Sequence, residues 1–440
     1  SYHAGLSSRA RRRIQREFSA GAIRILVATA AFGMGMDRPA VSGIVHLGFP
    51  GNFESYVQQV GRAGRDGGTA RCELLLEPEG RDLPELRRHI LADSVDFLTV
   101  KKLLQKVFFP CKCREILGKI RELAEVGRAF PRENQRICHR HERSIGIQET
   151  VESLDLREEA IETLLSYLDL HPGNFLELLP PTYSRCRIRC SGGRQQLREV
   201  AKSSPPLAVF LASNPAGISG SAEFDVVALS DSMGWESALV KRELRRLRRE
   251  SGNGDGIQVE FHELSFHFRA VGDLSAPELD SICEFLHGRA ISREKAALRQ
   301  LRACFRAFRS VAFPSFHPEP PEEEEERRSS RLKEILQEYF RRDRIGSDRE
   351  DEEEEEEEEK KLGMAKDWEE QIRRDIRNFL AAHPDEDFTG RAIARVFHGI
   401  GSPRFPAQIY GRDRRFWRKH LSLDFQSLSR LATEEILAWR

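Results

Sequence analysis

Strand-like apolar segments alternate with helical patterns at the start of the chain, and this alternation constrains its fold more than any other feature. The strand patterns are Ile23–Ala28, Gly43–Leu47 and Arg71–Leu76, and the helical patterns are Ser8–Phe18 and Phe53–Gly61. Strands that alternate with helices favour a parallel sheet covered by helices. We therefore expect an α/β domain over residues 1–92.

The rest of the chain does not continue this alternation, which indicates a multidomain protein of α/β plus α+β class. Residues 222–270 have the outline of a winged helix: helical patterns lead through a Gly-rich turn to a hairpin of Ile257–Glu260 and Ser265–Phe268. Residues 145–190 have a similar outline. The expected segments after residue 92 are a zinc-binding helical segment (93–144), two winged-helix-like units (145–215 and 216–315), an acidic disordered linker (316–361) and a basic helical C-terminal domain (362–440).

Charge is distributed unevenly along the 440 residues, although the formal net charge is zero. Residues 318–361 hold 20 acidic and 10 basic side chains, so the remaining chain carries a net charge of +10. A basic body favours a nucleic-acid partner, and the acidic insert could compete with that partner. No apolar run reaches the ~20 residues of a transmembrane helix. The first residue is Ser1 rather than Met, so we expect a fragment.

The segment from Gln58 to Gly67, which reads QQVGRAGRDG, carries the strongest chemical signal. Arg62 and Arg65 are three positions apart, and on a helix they would project from one face. Two neighbouring guanidinium groups repel each other unless an anion lies between them, and a nucleoside triphosphate is such an anion. An arginine pair alone is more often a solvated surface, but the glycines around it and the upstream segment 27–39 (VATAAFGMGMDRP) favour the functional interpretation.

Together these two segments resemble motifs V and VI of RecQ-family superfamily-two DNA helicases. The resemblance covers nearly the whole chain apart from the acidic insert. Beyond residue 92 it is to the fourth vertebrate branch of that family, and it rests on the Cys-x-Cys and Cys-x-x-His groups at 111–113 and 138–141, the two winged-helix-like segments and the C-terminal segments 397–403 and 415–419. It implies that residues 1–92 form the second RecA-like helicase lobe. RNA helicases of the DEAD-box kind share this lobe. The residues of the second motif have the RecQ form, which disfavours an RNA helicase.

The resemblance also implies roles for individual residues. Arg62 and Arg65 match the arginines that reach the γ-phosphate of ATP, with Arg65 the better candidate for the arginine finger. Gln58 and Asp37 match residues near the nucleotide, and Thr29 matches a hydroxyl that contacts DNA phosphates. A loop cap and a strand-end hydroxyl are the ordinary alternatives for Asp37 and Thr29.

The chain contains no Gly-x-x-x-x-Gly-Lys-Ser/Thr phosphate loop and no acidic Walker B motif. The resemblance implies that an upstream RecA-like lobe supplies both, together with the Mg²⁺ ligands. We expect this chain to hold half of an ATPase site and not to hydrolyse ATP alone.

Cysteine and histidine residues form two short groups, Cys111-Lys-Cys113 and Cys138-His-Arg-His141. Four nitrogen and sulfur ligands are what tetrahedral Zn²⁺ requires, and two short chelating segments can supply them. We expect a structural zinc ion at Cys111, Cys113, Cys138 and His141, with His139 as the alternative fourth ligand. Eight cysteines in all are too few for a disulfide scaffold and fit a reducing compartment. Most RecQ helicases carry a four-cysteine site, and this chain departs from that pattern.

Two basic segments are candidates for contact with DNA. In the helical pattern 239–249, Leu239, Val240, Leu244 and Leu247 form the expected apolar stripe, and Lys241 joins the arginines of the other face. The candidate contacts there are Arg242, Arg245, Arg246 and Arg249. The second segment, 391–419, interleaves basic and aromatic residues, as single-stranded or branched DNA would favour. Its candidate contacts are Arg414, Arg415, Arg418 and Lys419, beside Phe416. A merely solvated face is the alternative for the first segment.

We therefore expect the C-terminal part of an ATP-dependent 3′–5′ DNA helicase that acts in replication and repair in the nucleus. Its partners would be DNA, ATP with Mg²⁺, and the upstream lobe of the same parent protein. A non-catalytic DNA-binding module built from winged helices and a zinc site is the alternative.

Overall fold

The computed structural model describes nine stretches of the chain, which fall into two compact units. The described residues are 1–29, 41–77, 82–123, 136–214, 220–250, 256–316, 320–341, 366–421 and 423–439. The first unit comprises residues 1–90, 295–372 and 421–423, and the second comprises 91–294, 373–420 and 424–440. Among the described helices, none combines the length and apolar composition that crossing a membrane requires.

The helices and strands are numbered here in chain order. Up to residue 190 they are α1 (Ser8–Ser19), β1 (Gly43–Leu47), α2 (Phe53–Val60), β2 (Arg71–Leu75), α3 (Asp82–Leu91), α4 (Phe97–Val107), α5 (Cys113–Leu123), β3 (His141–Gly146), α6 (Ile147–Leu154), α7 (Glu158–Asp169) and β4 (Leu176–Cys190). After it they are α8 (Gly193–Ser203), α9 (Pro205–Ser213), β5 (Ser221–Asp225), α10 (Val226–Met233), α11 (Ser237–Glu250), β6 (Ile257–Ala270), α12 (Ala276–Val311), α13 (Glu322–Arg341), α14 (Lys366–Ala382), α15 (Gly390–Phe397), α16 (Ala407–Tyr410) and α17 (Phe425–Trp439).

A parallel pair of strands lies in the first unit, as the sequence predicted. Strand β1 pairs with β2 from Gly43 opposite Arg71 to Leu47 opposite Leu75. The predicted strand Ile23–Ala28 is wrong: in the described residues this segment makes only an isolated bridge, from Ala28 to Tyr2. Without a ladder of neighbouring hydrogen bonds, its apolar residues do not form a strand.

A short helix around residues 331–340 was expected within the disordered linker, 316–361, but α13 begins earlier, so the linker prediction is wrong over residues 322–330. The first turn of α13 contains Glu322–Glu325, whose carboxylates interact favourably with the positive end of the helix dipole. One face then carries apolar residues at helical spacing, and this face packs on the core of the first unit: Leu332, Ile335, Leu336 and Tyr339. The acidic run Glu352–Glu359 lies outside the described residues.

A four-stranded antiparallel sheet, in the order β3-β6-β4-β5, organises the second unit. Strands β4 and β6 pair along most of their length, with a bulge between Leu179 and Thr182. Pro180 and Pro181 lie in that bulge, and because proline has no N–H the ladder breaks there and then resumes.

The predicted hairpin within residues 257–268 is wrong, since β6 continues past His262 as one strand. The two winged-helix-like segments share this single sheet and are not separate units.

Most of the C-terminal segment, residues 373–420 and 424–440, belongs to the second unit. Helix α15 buries Arg391 and Arg395, whose guanidinium groups donate hydrogen bonds to backbone carbonyls. Arg391 donates to the carbonyl of Leu154 at 2.7 Å, and Arg395 to that of Asp155 at 2.7 Å. Burial, with a contribution from Arg391, lowers the pKa of Arg395 to about 9. These basic residues therefore stabilise the fold and do not form an outer surface for DNA.

Candidate functional sites: an arginine turn, a Cys–His cluster and a basic helix

Helix α2 leads directly into the segment that carries Arg62 and Arg65. The side chain of Asn52 caps its start by accepting a hydrogen bond from the amide of Ser55 at 2.7 Å. The helix ends at Val60, and Gly61 is its C-cap. The arginines therefore lie on the turn that follows, and the expectation that they share a helix face is wrong. We refer to residues Gly61–Gly67 as the arginine turn.

Hydrogen bonds and glycine geometry shape the arginine turn. The amide of Gly64 donates to the carbonyl of Val41 at 3.1 Å, which fastens the turn to the start of β1. Gly64 has φ +66°, and a Cβ there would lie 2.9 Å from the carbonyl oxygen of Gly68, so glycine is required. Arg65 is exposed, and its Nε donates to the carbonyl of Gly61 at 3.3 Å, while Arg62 is half-buried.

Gln58 and Thr29, which were also predicted to contact nucleotide or DNA phosphate, lie outside the arginine turn. Gln58 is exposed on α2, one turn of helix before the arginine turn. Its neighbour Gln59 is instead hydrogen-bonded to Nε2 of His46, at 2.8 Å. Thr29 is exposed, and its amide donates to the carbonyl of Tyr2 at 3.1 Å. Asp37 lies outside the described residues.

Three cysteines and one histidine from separate segments come together in the second unit. Their candidate ligand atoms lie within 4.8 Å of one another: Cys111, Cys113, Cys138 and His141. We refer to these four residues as the Cys–His cluster. The imidazole Nε2 of His141 is 3.3 Å from the sulfur of Cys113. His139, the alternative ligand, is exposed and is not part of the cluster.

Crowding of the thiols disfavours their ionised form. Burial, followed by hydrogen bonding and charge repulsion from Cys111, raises the pKa of Cys113 to about 12. Burial also raises the pKa of Cys138. Three thiolates at this spacing would repel one another, so they require a cation between them to be stable together. The cluster thus has the composition and the electrostatic requirement of a metal site.

Carboxylates around the Cys–His cluster fix its histidine and its backbone. Oδ2 of Asp231, in α10, is 2.9 Å from Nδ1 of His141, and its Oδ1 accepts the amide of Glu142 at 3.0 Å. This bond favours a proton on Nδ1 and leaves the Nε2 lone pair directed at the cysteines. Asp273 accepts the amides of Ile137 and Cys138 at 3.1 and 3.2 Å.

Sequence reasoning missed both aspartates and a glycine beside them. Asp231 is 90 residues from its histidine partner along the chain, so no local spacing could reveal the pair. A Cβ on Gly272 would lie 2.6 Å from Cβ of Cys111 and 2.9 Å from the carbonyl of Phe109. Gly272 therefore allows the cysteine segment to approach the end of β6. The sequence signal that could have indicated Gly272 and Asp273 was a Gly-Asp pair soon after a strand.

Helix α11 has the predicted amphipathic character, with two differences. Val240, Leu244 and Leu247 are buried as expected. Leu239 is exposed, whereas Lys241 is buried and donates to Oγ1 of Thr182 at 2.6 Å.

The candidate DNA contacts of α11 lie on its outer face. Arg242, Arg245 and Arg246 are exposed, and Arg245 lies over the ring of Phe261 at 5.0 Å. The side chain of Arg249 lies outside the described residues.

The C-terminal aromatics form a core and not a platform for bases. Phe397, Phe405, Tyr410 and Phe416 are buried, so the expected DNA-facing position of Phe416 is wrong. Its ring lies 5.2 Å from that of Phe379 in α14. Trp417 is half-buried.

The C-terminal basic candidates are exposed, and Arg415 and Lys419 form ion pairs. Arg414, Arg415, Arg418 and Lys419 all reach the surface. Arg415 pairs with Asp413 at 2.7 Å, and Lys419 pairs with Asp375 at 2.7 Å.

Comparisons with known proteins show similarity to helicases. Residues 1–67 match the helicase conserved C-terminal domain family. The chain is 51% identical to human ATP-dependent DNA helicase Q4 over 99% of its own length, and 49% identical to the mouse protein of the same name over 99%. It is also 39% identical over 122 residues to ATP-dependent DNA helicase RecQ of Bacillus subtilis, which covers 27% of the chain and 20% of that protein.

The chain spans 38% of the length of the human relative and 37% of the mouse one. The match to these two relatives includes the arginine turn, the Cys–His cluster and α11, since it extends over nearly all of the chain. The chain is therefore similar to ATP-dependent DNA helicases over nearly all of its length, and to a RecQ helicase over 27% of it.

Proposed function

We propose that this chain is the C-terminal part of an ATP-dependent 3′–5′ DNA helicase that acts in DNA replication and repair in the nucleus. The observation that carries the proposal is the arginine turn, which presents Arg65 at the surface directly after α2. Similarity to helicases over 99% of the chain supports it.

In this proposal Arg65 acts on the transition state of phosphoryl transfer. Its guanidinium would reach the γ-phosphate of ATP bound by an upstream RecA-like lobe, which supplies the phosphate loop and the Mg²⁺ ligands. An arginine in this role stabilises the charge that develops on the transferred group and contributes ~10³–10⁵ in rate. Arg62 and Gln58 would contact the same nucleotide, and Asp37 would lie near it.

The Cys–His cluster would hold a structural Zn²⁺. Ligand atoms around a tetrahedral zinc lie about 3.8 Å apart, given Zn–S distances near 2.3 Å, and the four ligand atoms here are all within 4.8 Å. Four protein ligands leave no open position for a reacting water, so the metal would stabilise the fold and take no part in catalysis. It would tie the start of α5 to the start of β3.

DNA would be held largely through its phosphates. The exposed arginines of α11 form the best candidate surface, because Arg242, Arg245 and Arg246 lie together on the outer face of one helix. Arg414 and Arg418 would add contacts in the C-terminal segment, and Thr29 would contact the tracked strand in the first unit. Such contacts position the protein on DNA without reading its sequence.

Replacing Arg65 with alanine in the helicase-length protein should lower DNA-stimulated ATP turnover by about 10³-fold or more. DNA affinity should stay within twofold of wild type, because the side chain acts at the nucleotide. Arg327→Ala, a change at an exposed arginine of α13, is the matched control and should leave turnover unchanged. Preserved ATP turnover in Arg65→Ala would contradict the assignment.

Metal analysis of the purified chain should find about one zinc per chain. The double variant Cys111→Ser, Cys113→Ser should lose the metal and the local fold of the second unit, measured by near-ultraviolet circular dichroism. His139→Ala should keep the metal, since that imidazole lies outside the cluster. A metal-free chain with an intact fold would argue against the zinc site.

DNA binding should weaken with salt, and the triple variant of Arg242, Arg245 and Arg246 to alanine should reduce the slope of log K against log salt. Each phosphate contact contributes about 0.9 to that slope on duplex DNA, so the loss should be roughly two to three. The charge-matched control replaces Arg327, Arg331 and Lys333, which are exposed on α13. Equal losses in both variants would show that only total charge matters.

A further inference from the structure

Helix α13 and the last part of α12 pack against α2, the helix that ends at the arginine turn. The ring of Phe308, in α12, lies 5.8 Å from Phe49, 5.4 Å from Phe53 and 4.9 Å from Tyr56. Phe53 and Tyr56 are the buried residues of α2. One aromatic residue from a helix some 250 positions downstream therefore contacts both buried rings of α2 and the loop before it.

A polar contact also joins α12 and α13 to the first turn of α2. The hydroxyl of Tyr339, in α13, donates to Oε1 of Glu54 at 2.8 Å. Nε2 of Gln300 donates to that hydroxyl at 2.6 Å and to Oε2 of Glu54 at 3.2 Å. The Tyr339 ring also lies 4.9 Å from that of Phe53, at an angle of 63°. We refer to Tyr339, Gln300 and Glu54 as the tyrosine clasp.

The remainder of α13 is fixed to the first unit at its other end. Glu325, in its first turn, pairs with Arg71 at the start of β2, at 3.3 Å. Arg328 donates to the carbonyls of Val311 and Ala312 at 3.2 and 2.6 Å, which closes the connection between α12 and α13. Contacts near both ends of α13 therefore hold Tyr339 in a defined position beside Glu54.

Directional contacts matter here because α2 is short. Eight residues at ~1.5 Å each give a helix of about 12 Å, which moves as one rigid piece. Glu54 lies in its first turn and Gly61 caps its end, so a shift at the clasp is carried to Arg62 and Arg65. A misplacement of ~1 Å in a catalytic group can lower a rate ~10²-fold.

We propose that the tyrosine clasp positions the arginine turn for ATP hydrolysis, so that Tyr339 and Gln300 are positioning residues for that reaction. This inference rests on the function proposed above. It gives the segment that begins with an acidic run a role in the ATPase lobe, in addition to connecting parts of the chain.

The test uses Tyr339→Phe in the helicase-length protein, which removes the hydroxyl and keeps the ring against Phe53. The kcat of DNA-stimulated ATP hydrolysis should fall about three- to tenfold, while KM for ATP and DNA affinity stay unchanged. Tyr183→Phe, the same change at a half-exposed tyrosine of β4, is the control and should behave as wild type.

A second pair of variants separates positioning from simple stability. Glu54→Gln keeps an oxygen that accepts the Tyr339 hydrogen bond and should retain most of the kcat, whereas Glu54→Ala should match Tyr339→Phe. Amide hydrogen exchange of the chain itself should become faster at Gly61–Gly67 in Tyr339→Phe and stay unchanged in Tyr183→Phe.

Two failures can be told apart. A wild-type protein without ATPase activity would contradict the proposed function. An active wild type with an unchanged kcat in Tyr339→Phe and Glu54→Ala would overturn the clasp alone. A kcat that falls only in proportion to the folded fraction, measured by circular dichroism in the same samples, would overturn it as well.

Discussion

Burial of the aromatic face of α2 is the interaction on which the first unit depends. Phe53 and Tyr56 are removed from water by Phe308 and Tyr339. Removing such rings from water contributes about 1.5–3 kcal/mol each. Because the opposite face of α2 is polar and exposed at Gln58, the helix has one stable orientation, and the arginine turn follows from its end. Residues far apart in sequence therefore determine where Arg65 lies.

The second unit depends on a comparable constraint, the pairing of β4 with β6. These strands run through two of its hydrophobic cores, which contain Phe268 and Leu176 in one case and Ile188 and Phe224 in the other. The Cys–His cluster lies where β3 joins this sheet, and Asp231 of α10 reaches it from the second winged-helix-like segment, 216–315. A metal there would connect residues 93–144 with that segment through the histidine as well as through the strands.

Local patterns were sufficient for the features that depend on neighbouring residues. Parallel pairing of β1 with β2, the buried face of α11 at Leu244 and the grouping of Cys111 with His141 could all be predicted. Long-range packing could not. Tyr339 contacts Glu54 across 285 positions, and no local pattern shows which core the apolar face of α13 packs on. In the same way, charge alone could not show that Arg395 satisfies backbone carbonyls within the core.

The central claim is that this chain holds the arginine half of an ATPase site whose phosphate loop lies on another lobe. The most direct measurement compares ATP hydrolysis by the chain alone with hydrolysis by the same chain joined to a RecQ-type first lobe, each with and without DNA. The account predicts no turnover above background for the chain alone and DNA-stimulated turnover for the joined protein. ATP hydrolysis by the chain alone, or a folded joined protein that stays inactive with DNA, would contradict it.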